Sequence, residues 1–397
     1  MSATARRGPL AGYRVIELAG LGPGPFCAMM LGDMGADVIR IDRPDPDPRQ
    51  HLDPLCRNRR SVSIDLKTRQ GLEVLLRLVA GADALLEGFR PGVAERLGFG
   101  PEVCLERNPR LVYGRVTGWG QEGPLARSAG HDINYIALSG ALHAIGRRGE
   151  RPVPPLNLVG DFGGGGMLLA FGIVCGLLEA KQSGKGQVID SAMLDGSIAL
   201  MATFFGFRAM GLFDEQPGTH FLSGAAHFYN TYETRDGKFI ALGALEPRFY
   251  ELLVEKLGLD RERFLACPFT LDADRANAAM WPELKQEIAA VIRSRTRDEW
   301  CELLEGTDVC FAPVLSLSEA SRHPHNVARR NFLRVEGILQ HAPAPRFSRS
   351  GTAEPAPPPP TGRHTREVLA EAGYTGSQIE ALLSSGAVRQ APGTDDG

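Results

Sequence analysis

The sequence predicts an α/β protein with a large, doubly wound, Rossmann-like domain and a smaller α+β domain. Residues 13–42 read as strand, glycine-rich turn, helix and strand, which is the opening of a βαβ unit, and similar units follow. Near residues 220–235 the pattern changes to paired strands followed by helices. A chain of 397 residues also exceeds one typical domain and suggests two.

Strand and helix patterns alternate through the first half of the chain. A β-rich run at 13–19 precedes the turn GLGPGP, the helical pattern FCAMMLGDMGA and the strand ADVIRID at 36–42. The next unit comprises the strand SVSIDL, the helix GLEVLLRLVAGA and the strand DALLEGF, and LVYGRVTG is a further strand. Long helices are expected at 167–182 and 191–213. We therefore assign residues 1–190 to the large domain.

The smaller domain is predicted over residues 223–320. The segment HFYNTYETRDGKFIALGAL reads as a hairpin with Asp236-Gly237 at its turn, because Asp-Gly is a preferred hairpin pair. Three helical patterns follow, at 247–258, 283–294 and 297–306.

Two linkers are expected to connect the domains, a helical one at 191–222 and a return at 321–348. Residues from about 326 to 387 complete the large domain in this prediction. The run PAPPPP at 355–360 is typical of a stiff polyproline connection. Residues 388–397 are expected to form a disordered tail.

Charge and composition exclude several classes of partner. A net charge of −3 gives no reason to expect nucleic acid or an acidic membrane. The seven cysteines are scattered without a CxxC pair or a Cys/His cluster, which is typical of free thiols in a reducing cytosol and predicts no metal site. The longest apolar stretch, around 167–178, is too short to span a bilayer, and the N-terminus lacks the core of a signal peptide. We therefore expect a cytoplasmic protein.

Two short motifs carry the predicted chemistry. HDINY places His131 beside Asp132 in a loop, and LVGDFGGGG places Asp161 between an apolar run and a glycine-rich turn. A carboxylate there lies at a predicted helix N-terminus, where backbone N–H groups and the helix dipole favour negative charge. An imidazole and a carboxylate aimed at one carbon are what reversible proton abstraction beside a carbonyl needs. His131 and Asp161 are therefore the candidate acid–base pair.

Each of these features also has a structural interpretation. An isolated histidine is more often structural or solvated than catalytic, and an aspartate before a glycine-rich turn is a common helix N-cap. Capping and catalysis are compatible, because the cap position fixes the carboxylate. The turn GLGPGP is not the GxGxxG dinucleotide fingerprint, since its two prolines remove backbone donors, so a nicotinamide site is not expected.

Arginines gather in the first hundred residues, several of them just after predicted strands. Clustered guanidinium groups at βα loops suit charge-assisted hydrogen bonds to phosphate. The alternative for each of them is solvated surface charge. The residues are Arg40, Arg43, Arg57, Arg59, Arg60 and Arg90.

Several segments together resemble one known family. They are GPGPFCAMMLGDMGADVIRID, RNRRSVSIDLK, GFRPGV, TGWGQEGP, AGHDINY, LVGDFGGG and GKGQVID. They are similar to the class III CoA-transferase superfamily, and within it to the racemase branch, the α-methylacyl-CoA racemases. The resemblance runs from about Leu10 to about Ser348. The transferases carry an aspartate matching Asp161 as their nucleophile, and the racemase branch adds the histidine matching His131.

The resemblance implies an isomerase of lipid metabolism that epimerises 2-methyl-branched acyl-CoA thioesters. His131 or Asp161 removes the α-proton, and the other residue returns a proton to the opposite face of the enolate. The backbone N–H groups of Asp132 and of glycines 163–166 would stabilise charge on the thioester oxygen. The side chain of Asp132 has two open alternatives, a contact with His131 or with Tyr135. No cofactor is expected beyond the CoA moiety of the substrate, and no metal.

CoA contacts are implied away from the acid–base pair. Arg43 and Arg90 match the family's CoA-contacting positions. Lys67, Tyr135 and Arg40 are further candidates for binding CoA. An apolar acyl pocket is also expected, and flexible methionines suit its lining, although ordinary helix core is the alternative for most of them. Those methionines are Met167, Met193, Met201 and Met210.

The resemblance further implies an intertwined homodimer with interlocked chains. Each active site would lie between the large domain of one subunit and the small domain of the other. Glu246 matches a glutamate that hydrogen-bonds the catalytic histidine across this interface, where it would orient the imidazole. Its position before Pro247 equally suits an ordinary helix start.

Two other functions stay open at this point. A CoA-transferase would use Asp161 to form an acyl anhydride and then an aspartyl-CoA thioester. His131 argues against it, because that chemistry needs no second base. A non-catalytic acyl-CoA-binding protein on the same fold is the more distant alternative, and the presence of both His131 and Asp161 argues against it.

Overall fold

The computed structural model describes residues 7–45, 49–269 and 277–392. The chain divides into two compact units. The first comprises Met1–Ser139, Leu156–Leu200 and Arg330–Gly397, and the second comprises Gly140–Pro155 and Met201–Arg329. Residues 140–155 therefore belong to the second unit, whereas the sequence placed them in the large domain.

Three sheets account for the described strands. The strands in chain order are β1 (Arg14–Leu18), β2 (Asp37–Asp42), β3 (Arg59–Ile64), β4 (Ala84–Glu87), β5 (Val112–Thr117), β6 (Gln187–Ala192), β7 (Tyr229–Glu233), β8 (Phe239–Gly243), β9 (Phe311–Val314), β10 (Phe332–Val335), β11 (Ile338–His341) and β12 (Val388–Arg389). The first unit holds a seven-stranded sheet in the order β12-β3-β2-β1-β4-β5-β6 and the hairpin β10–β11. Every pair in the large sheet is parallel except β12 with β3. This order is that of a Rossmann-like sheet, so the predicted fold class is confirmed.

Helices follow most of the parallel strands. In chain order they are α1 (Pro23–Asp33), α2 (Arg69–Ala80), α3 (Val93–Leu97), α4 (Pro101–Arg107), α5 (Asp132–Leu138), α6 (Ala141–Ala144), a π-helix (Leu158–Met167) that continues into α7 (Leu168–Ser183), α8 (Met193–Leu200), α9 (Ala202–Ala209), α10 (Pro247–Leu257), α11 (Arg261–Leu265), α12 (Trp281–Ile292), α13 (Arg297–Leu304), α14 (Leu317–Ala320), α15 (Pro324–Ala328), α16 (Thr365–Glu371) and α17 (Gly376–Ser384).

Both faces of the large sheet are buried. Successive strand residues point to opposite faces, so Ile16 and Ile39 belong to one apolar cluster while Val15 and Val38 belong to another. Burial on both faces explains why the strands read as nearly continuous apolar runs. The loops at the carboxyl ends of the strands are then the edge where ligands bind in such sheets.

The second unit is built on the antiparallel sheet β7–β8–β9. The predicted hairpin is confirmed, with Gly237 at φ +70° in its turn. Helices α10, α12 and α13 pack on this sheet around the buried Phe228, Tyr250 and Trp300. The unit therefore has a core of its own.

Two sequence predictions were wrong in detail. Residues 191–213 do not form one helix, because β6 pairs with β5 as far as Ala192 and the helical segment after it is broken at Met201. The predicted tail 388–397 begins with β12, whose residues pair with β3 in the large sheet. Residues 393–397 lie outside the described residues.

The π-helix and α7 form one continuous helix of 26 residues, Leu158–Ser183, which contains an 18-residue stretch with a mean hydropathy of 1.7. By length and composition alone it could cross a membrane, although the sequence had suggested a shorter apolar stretch. A core helix passes the same test. Leu169, Ile173 and Leu177 of this helix are buried in the core cluster that also contains Val112 of β5.

Candidate active site

His131 lies in the loop that connects the carboxyl end of β5 to α5. It is the N-cap residue of α5. Its backbone N–H donates to Oδ1 of Asn134 at 3.0 Å, and the N–H of Asn134 donates to the carbonyl of His131 at 2.8 Å. The residue is exposed. The backbone of His131 is therefore fixed while its imidazole is accessible to a ligand.

An aromatic pair holds the loop before His131. The rings of Trp119 and Tyr135 meet edge to face with centroids 4.8 Å apart, and the Tyr135 hydroxyl donates to the carbonyl of Gly130 at 2.5 Å. Burial raises the pKa of Tyr135, as does the charge of Asp161, whereas the charge of Arg90 opposes the shift. Tyr135 thus supports the site from inside the chain, and its hydroxyl proton is already donated to Gly130.

Asp161 lies inside the first turn of the π-helix, not at its N-cap. The helix begins at Leu158 and its N-cap is Asn157, so the predicted capping role is wrong. The glycine-rich stretch is the body of this helix and not a turn. A π-helix closes its hydrogen bonds over five residues, which makes it wider than an α-helix, and such segments are frequent at functional sites.

The side chain of Asp132 joins the two motifs. Its Oδ2 accepts a hydrogen bond from the backbone N–H of Asp161 at 2.7 Å. Its Oδ1 is buried without a hydrogen-bond partner in the described part of the chain. The carboxylate therefore contacts Asp161, and the two alternatives left open by the sequence, His131 and Tyr135, are not its hydrogen-bond partners.

Burial sets the basicity of Asp161. Loss of hydration raises the pKa of its carboxyl, and the nearby charge of Asp132 raises it further. A hydrogen bond from Asn157 and the charge of His131 act in the opposite direction. The carboxylate of Asp161 is therefore a stronger base than an exposed aspartate, and His131 is close enough to influence it.

The turn GLGPGP lies against the same carboxylate. Gly22 adopts φ +70°, and a Cβ built on it would lie 3.2 Å from Oδ2 of Asp161. Positive φ and this approach both favour glycine at position 22. The turn therefore packs against the carboxylate of Asp161.

The glycines of the π-helix allow neighbouring helices to pack closely against it. Gly164, Gly165 and Gly166 are buried against α8 and α1. Because they are buried in a helix, their N–H groups do not face a ligand, which corrects the expectation that these three stabilise the thioester oxygen. The N–H of Asp132 differs, since the first residue of a helix has no intrahelical acceptor for its backbone N–H.

The candidate CoA-binding cations separate into two groups. Arg43, Arg90 and Lys67 are exposed in loops that follow strands or lie near them. Arg40 is buried, with Nη1 2.7 Å from Oε1 of Glu17 and Nε 2.8 Å from Oδ1 of Asp42. Its guanidinium group is already paired on two edges, so Arg40 is not available to a phosphate.

A buried network of charges was not anticipated from the sequence. Arg59 pairs with Glu17, and Nη2 of Arg57 lies 2.5 Å from Oδ2 of Asp33. These arginines are neither phosphate ligands nor solvated surface charge, because both are almost completely buried. The only signal in the sequence was the presence of acidic residues inside apolar strands and helices, at Glu17 and Asp33.

Glu246 lies in the second unit as the N-cap residue of α10. Its side chain is exposed and makes no capping hydrogen bond. Its charge contributes to raising the pKa of the Cys310 thiol, although burial is the larger cause. The exposed carboxylate of Glu246 is therefore not used by its own helix.

The fold and the site define an α/β protein of the CoA-transferase class. The family model for CoA-transferase family III matches residues 10–365, and the chain belongs to this family. Among curated proteins it is 47% identical over 377 residues to the α-methylacyl-CoA racemase of Mus musculus, covering 94% of this chain and 96% of that protein. It is 44% identical to the human α-methylacyl-CoA racemase over 385 residues, with the same coverage. The succinyl-CoA:glutarate CoA-transferase of Mus musculus is 30% identical over 407 residues, covering 96% and 91%.

Solved structures of the family share the fold. A CAIB/BAIF family protein from Brucella suis superposes with a TM-score of 0.78 at 25% identity, over 92% of this chain and all of that one. Rv3272 from Mycobacterium tuberculosis superposes with a TM-score of 0.75 at 26% identity, over 91% and 99%. Within the described ranges no group of three or more His, Cys, Asp or Glu side chains could hold a metal ion.

Proposed function

We propose that this chain is an isomerase that epimerises 2-methyl-branched acyl-CoA thioesters at the α-carbon. The observation that carries the proposal is the joining of the His131 and Asp161 segments by the hydrogen bond between Asp132 and Asp161. That bond brings an accessible imidazole and a carboxylate of raised pKa to one end of the large sheet. The racemases that are 47% and 44% identical support the same reaction and substrate class.

The proposed reaction needs two proton carriers and one site for negative charge. One carrier takes the α-proton: the C–H bond breaks, its electron pair forms the enolate double bond, and charge moves onto the thioester oxygen. The other carrier donates a proton to the opposite face of the α-carbon. The N–H of Asp132 is the donor proposed for the thioester oxygen. No cofactor beyond the CoA of the substrate is required.

The CoA moiety is proposed to bind through Arg43 and Arg90, with Lys67 as a weaker contact. All three cations are exposed, and Arg90 is close enough to affect the pKa of Tyr135 beside the acid–base pair. Arginine suits this role because its planar group can bind two phosphate oxygens at once.

Of the methionines proposed to line the acyl pocket, Met193 is largely buried, whereas Met167 and Met210 are exposed.

The working unit is proposed to be an interlocked homodimer, in which Glu246 orients His131 of the partner subunit. The side chain of Glu246 supports this arrangement, because it is exposed and makes no capping hydrogen bond to its own helix. Two impaired variants, His131→Ala and Glu246→Ala, should then complement each other when they are co-expressed, because a mixed dimer contains one intact site. An active monomer, or no recovery in confirmed mixed dimers, would contradict a shared site.

We also propose that the protein works in the cytoplasm without a membrane or nucleic-acid partner. Its small net charge of −3 supports this, since neither acidic lipid nor nucleic acid attracts such a surface.

CoA transfer is the second candidate function. Asp161 would then be a nucleophile, and the 30% identical succinyl-CoA:glutarate CoA-transferase favours this alternative. The two functions differ in what happens at the α-carbon.

The decisive experiment incubates the protein with (R)-2-methylacyl-CoA in deuterated water. Chiral chromatography and mass spectrometry then report configuration and α-deuterium together. The proposal predicts α-deuterium incorporation with racemisation and no CoA passed to acetate, formate or succinate. Acceptor-dependent transfer without α-exchange would establish the transferase instead.

A further inference from the structure

The two carboxylate oxygens of Asp161 have different surroundings. Oδ2 accepts a hydrogen bond from Nδ2 of Asn157 at 3.2 Å, and it is also the atom that lies against Gly22. No described residue hydrogen-bonds Oδ1. One oxygen is therefore held by the protein, and Oδ1 of this half-buried residue keeps its capacity to accept a proton.

Local helix geometry brings Asn157 to Asp161. Asn157 is the N-cap of the π-helix and precedes Asp161 by four positions, a spacing at which side chains on one helix face can meet. The carbonyl of Asn157 accepts the N–H of Phe162 at 3.3 Å, over the five-residue spacing of a π-helix. The backbone of Asn157 is thereby tied to the same turn that carries Asp161.

Asn157 and Asp132 act on different parts of Asp161. Asp132 holds the backbone N–H and so fixes where the residue lies. Asn157 contacts the carboxylate itself and so fixes how the side chain is turned. Of the two side chains, only that of Asn157 has a donor group, and such a donor stabilises the ionised carboxylate against burial.

We propose that Asn157 is the positioning residue of Asp161, anchoring Oδ2 so that Oδ1 is the atom that takes up and returns the α-proton. The inference rests on the proposed function. In the forward step the α-C–H bond breaks, an O–H bond forms at Oδ1, and the electron pair moves to the enolate. The Asn157 amide keeps Oδ2 acting as a hydrogen-bond acceptor throughout, and the reverse step restores the ionised carboxylate.

Asn157→Asp and Asn157→Ala test this assignment. The first keeps the shape of the side chain and replaces the donor with a carboxyl, and the second removes the side chain. For the enantiomer whose α-proton Asp161 removes, kcat should fall at least about tenfold, since a hydrogen bond to a charged group is lost. KM should change little, because CoA binds elsewhere.

The pH profile separates positioning from a merely structural role. The Asn157 hydrogen bond lowers the pKa of Asp161, so its loss moves the acidic limb of the α-exchange rate to higher pH. The shift should be larger in Asn157→Asp, where two carboxyls meet. Thermal denaturation of both variants checks that they fold. If Asn157→Ala does not fold, the pH profile of the isosteric Asn157→Asp tests the positioning role.

Asn108→Ala is the matched control. The amide of Asn108 donates to the carbonyls of Val79 and Ala82, at 3.0 and 2.7 Å, and is structural. Its loss should lower thermal stability and leave the acidic limb in place. An acidic limb in the folded Asn157 variants that superposes on the wild-type limb would overturn the inference while leaving the proposed function intact. Absence of α-exchange in the wild-type protein would overturn both.

Discussion

Oδ2 of Asp132 accepts a hydrogen bond from the backbone N–H of Asp161 at 2.7 Å, across 29 positions of sequence. The neighbouring Gly160 permits this approach, because a Cβ at that position would lie 2.5 Å from the same oxygen. The bond ties the start of α5 to the π-helix. The side chain of Asp132 therefore fixes the backbone position of Asp161, the proposed base.

Replacement of Asp132 should affect catalysis through Asp161. In Asp132→Ala the Asp161 N–H loses its charged acceptor, so we expect kcat for α-exchange to fall by about tenfold to a hundredfold, together with a lower melting temperature. The charge of Asp132 also raises the pKa of Asp161, so the acidic limb of the pH profile should move to lower pH. Steady-state kinetics over a pH series measures both effects.

Asp132→Asn is the matched comparison, because it keeps an oxygen acceptor and removes the charge. It should retain more activity than Asp132→Ala while showing the same downward shift of the acidic limb. Equal loss of kcat in the two variants would show that the hydrogen bond to Asp161 is not what matters.

His131 and Asp161 should each be needed for turnover. His131→Ala and Asp161→Ala are expected to lower kcat at least about a hundredfold, the lower end for removal of one acid–base group. Binding of the CoA ester should change little, because the proposed phosphate contacts lie elsewhere. A variant that retains near-full epimerisation would remove that residue from the mechanism. A variant that still exchanges deuterium into one enantiomer would identify which base serves which face.

Exposed and buried arginines should behave differently. Arg90→Ala and Arg43→Ala are expected to raise KM more than they lower kcat, because phosphate contacts bind ground and transition states alike. Their stability should stay near that of the wild type.

Arg40→Ala is the contrasting variant, since it leaves Asp42 buried without its counter-charge and leaves Glu17 paired with Arg59 alone. We expect a destabilisation of about 3–5 kcal/mol, the usual cost of breaking a buried pair. Chemical denaturation and the affinity for free CoA distinguish the two classes. A KM unchanged in both exposed variants would contradict the CoA assignment.

His227 should make the second unit sensitive to acid. Burial lowers the pKa of His227 from 6.5 to about 3, and the charge of Lys285 adds to the shift. The unfolded chain therefore binds this proton below pH 6.5, while the folded chain stays neutral down to about pH 3. The stability contributed by neutral His227 is complete above pH 6.5 and is lost as pH falls towards 3, by up to about 1.4 kcal/mol per pH unit.

His227→Gln tests this dependence, because an amide can still pair with the hydroxyl of Tyr250, which lies 2.6 Å from Nε2. Urea unfolding measured between neutral pH and about pH 5 should show a shallower pH dependence in the variant. His325→Gln, at an exposed position in the same unit, is the control and should follow the wild type. If the free energy of unfolding varies with pH to the same extent in all three proteins, His227 is not the source of the acid sensitivity.

Hydrophobic periodicity and the positions of turn residues in the sequence were sufficient to predict much of the fold. Strand and helix patterns predicted the parallel sheet, because a sheet buried on both faces needs apolar runs joined by helices. The Asp236-Gly237 pair predicted the hairpin, since its turn requires positive φ. The prediction of one helix at 191–213 was wrong, because β6 pairs with β5, which is distant in the sequence. The local residue pattern does not indicate such a contact.

For the site, the sequence by itself determined which residue types stand in which motif, and that is enough to nominate His131, Asp161 and exposed arginines such as Arg90. Only the tertiary structure determined which hydrogen bonds and ion pairs these groups make. It turned Asp132 towards Asp161, paired Arg40 with buried carboxylates, and brought Asn157 onto one oxygen of the base. The physical reason is that hydrogen bonding and charge pairing depend on distance and direction between side chains, which residue spacing along the chain does not specify.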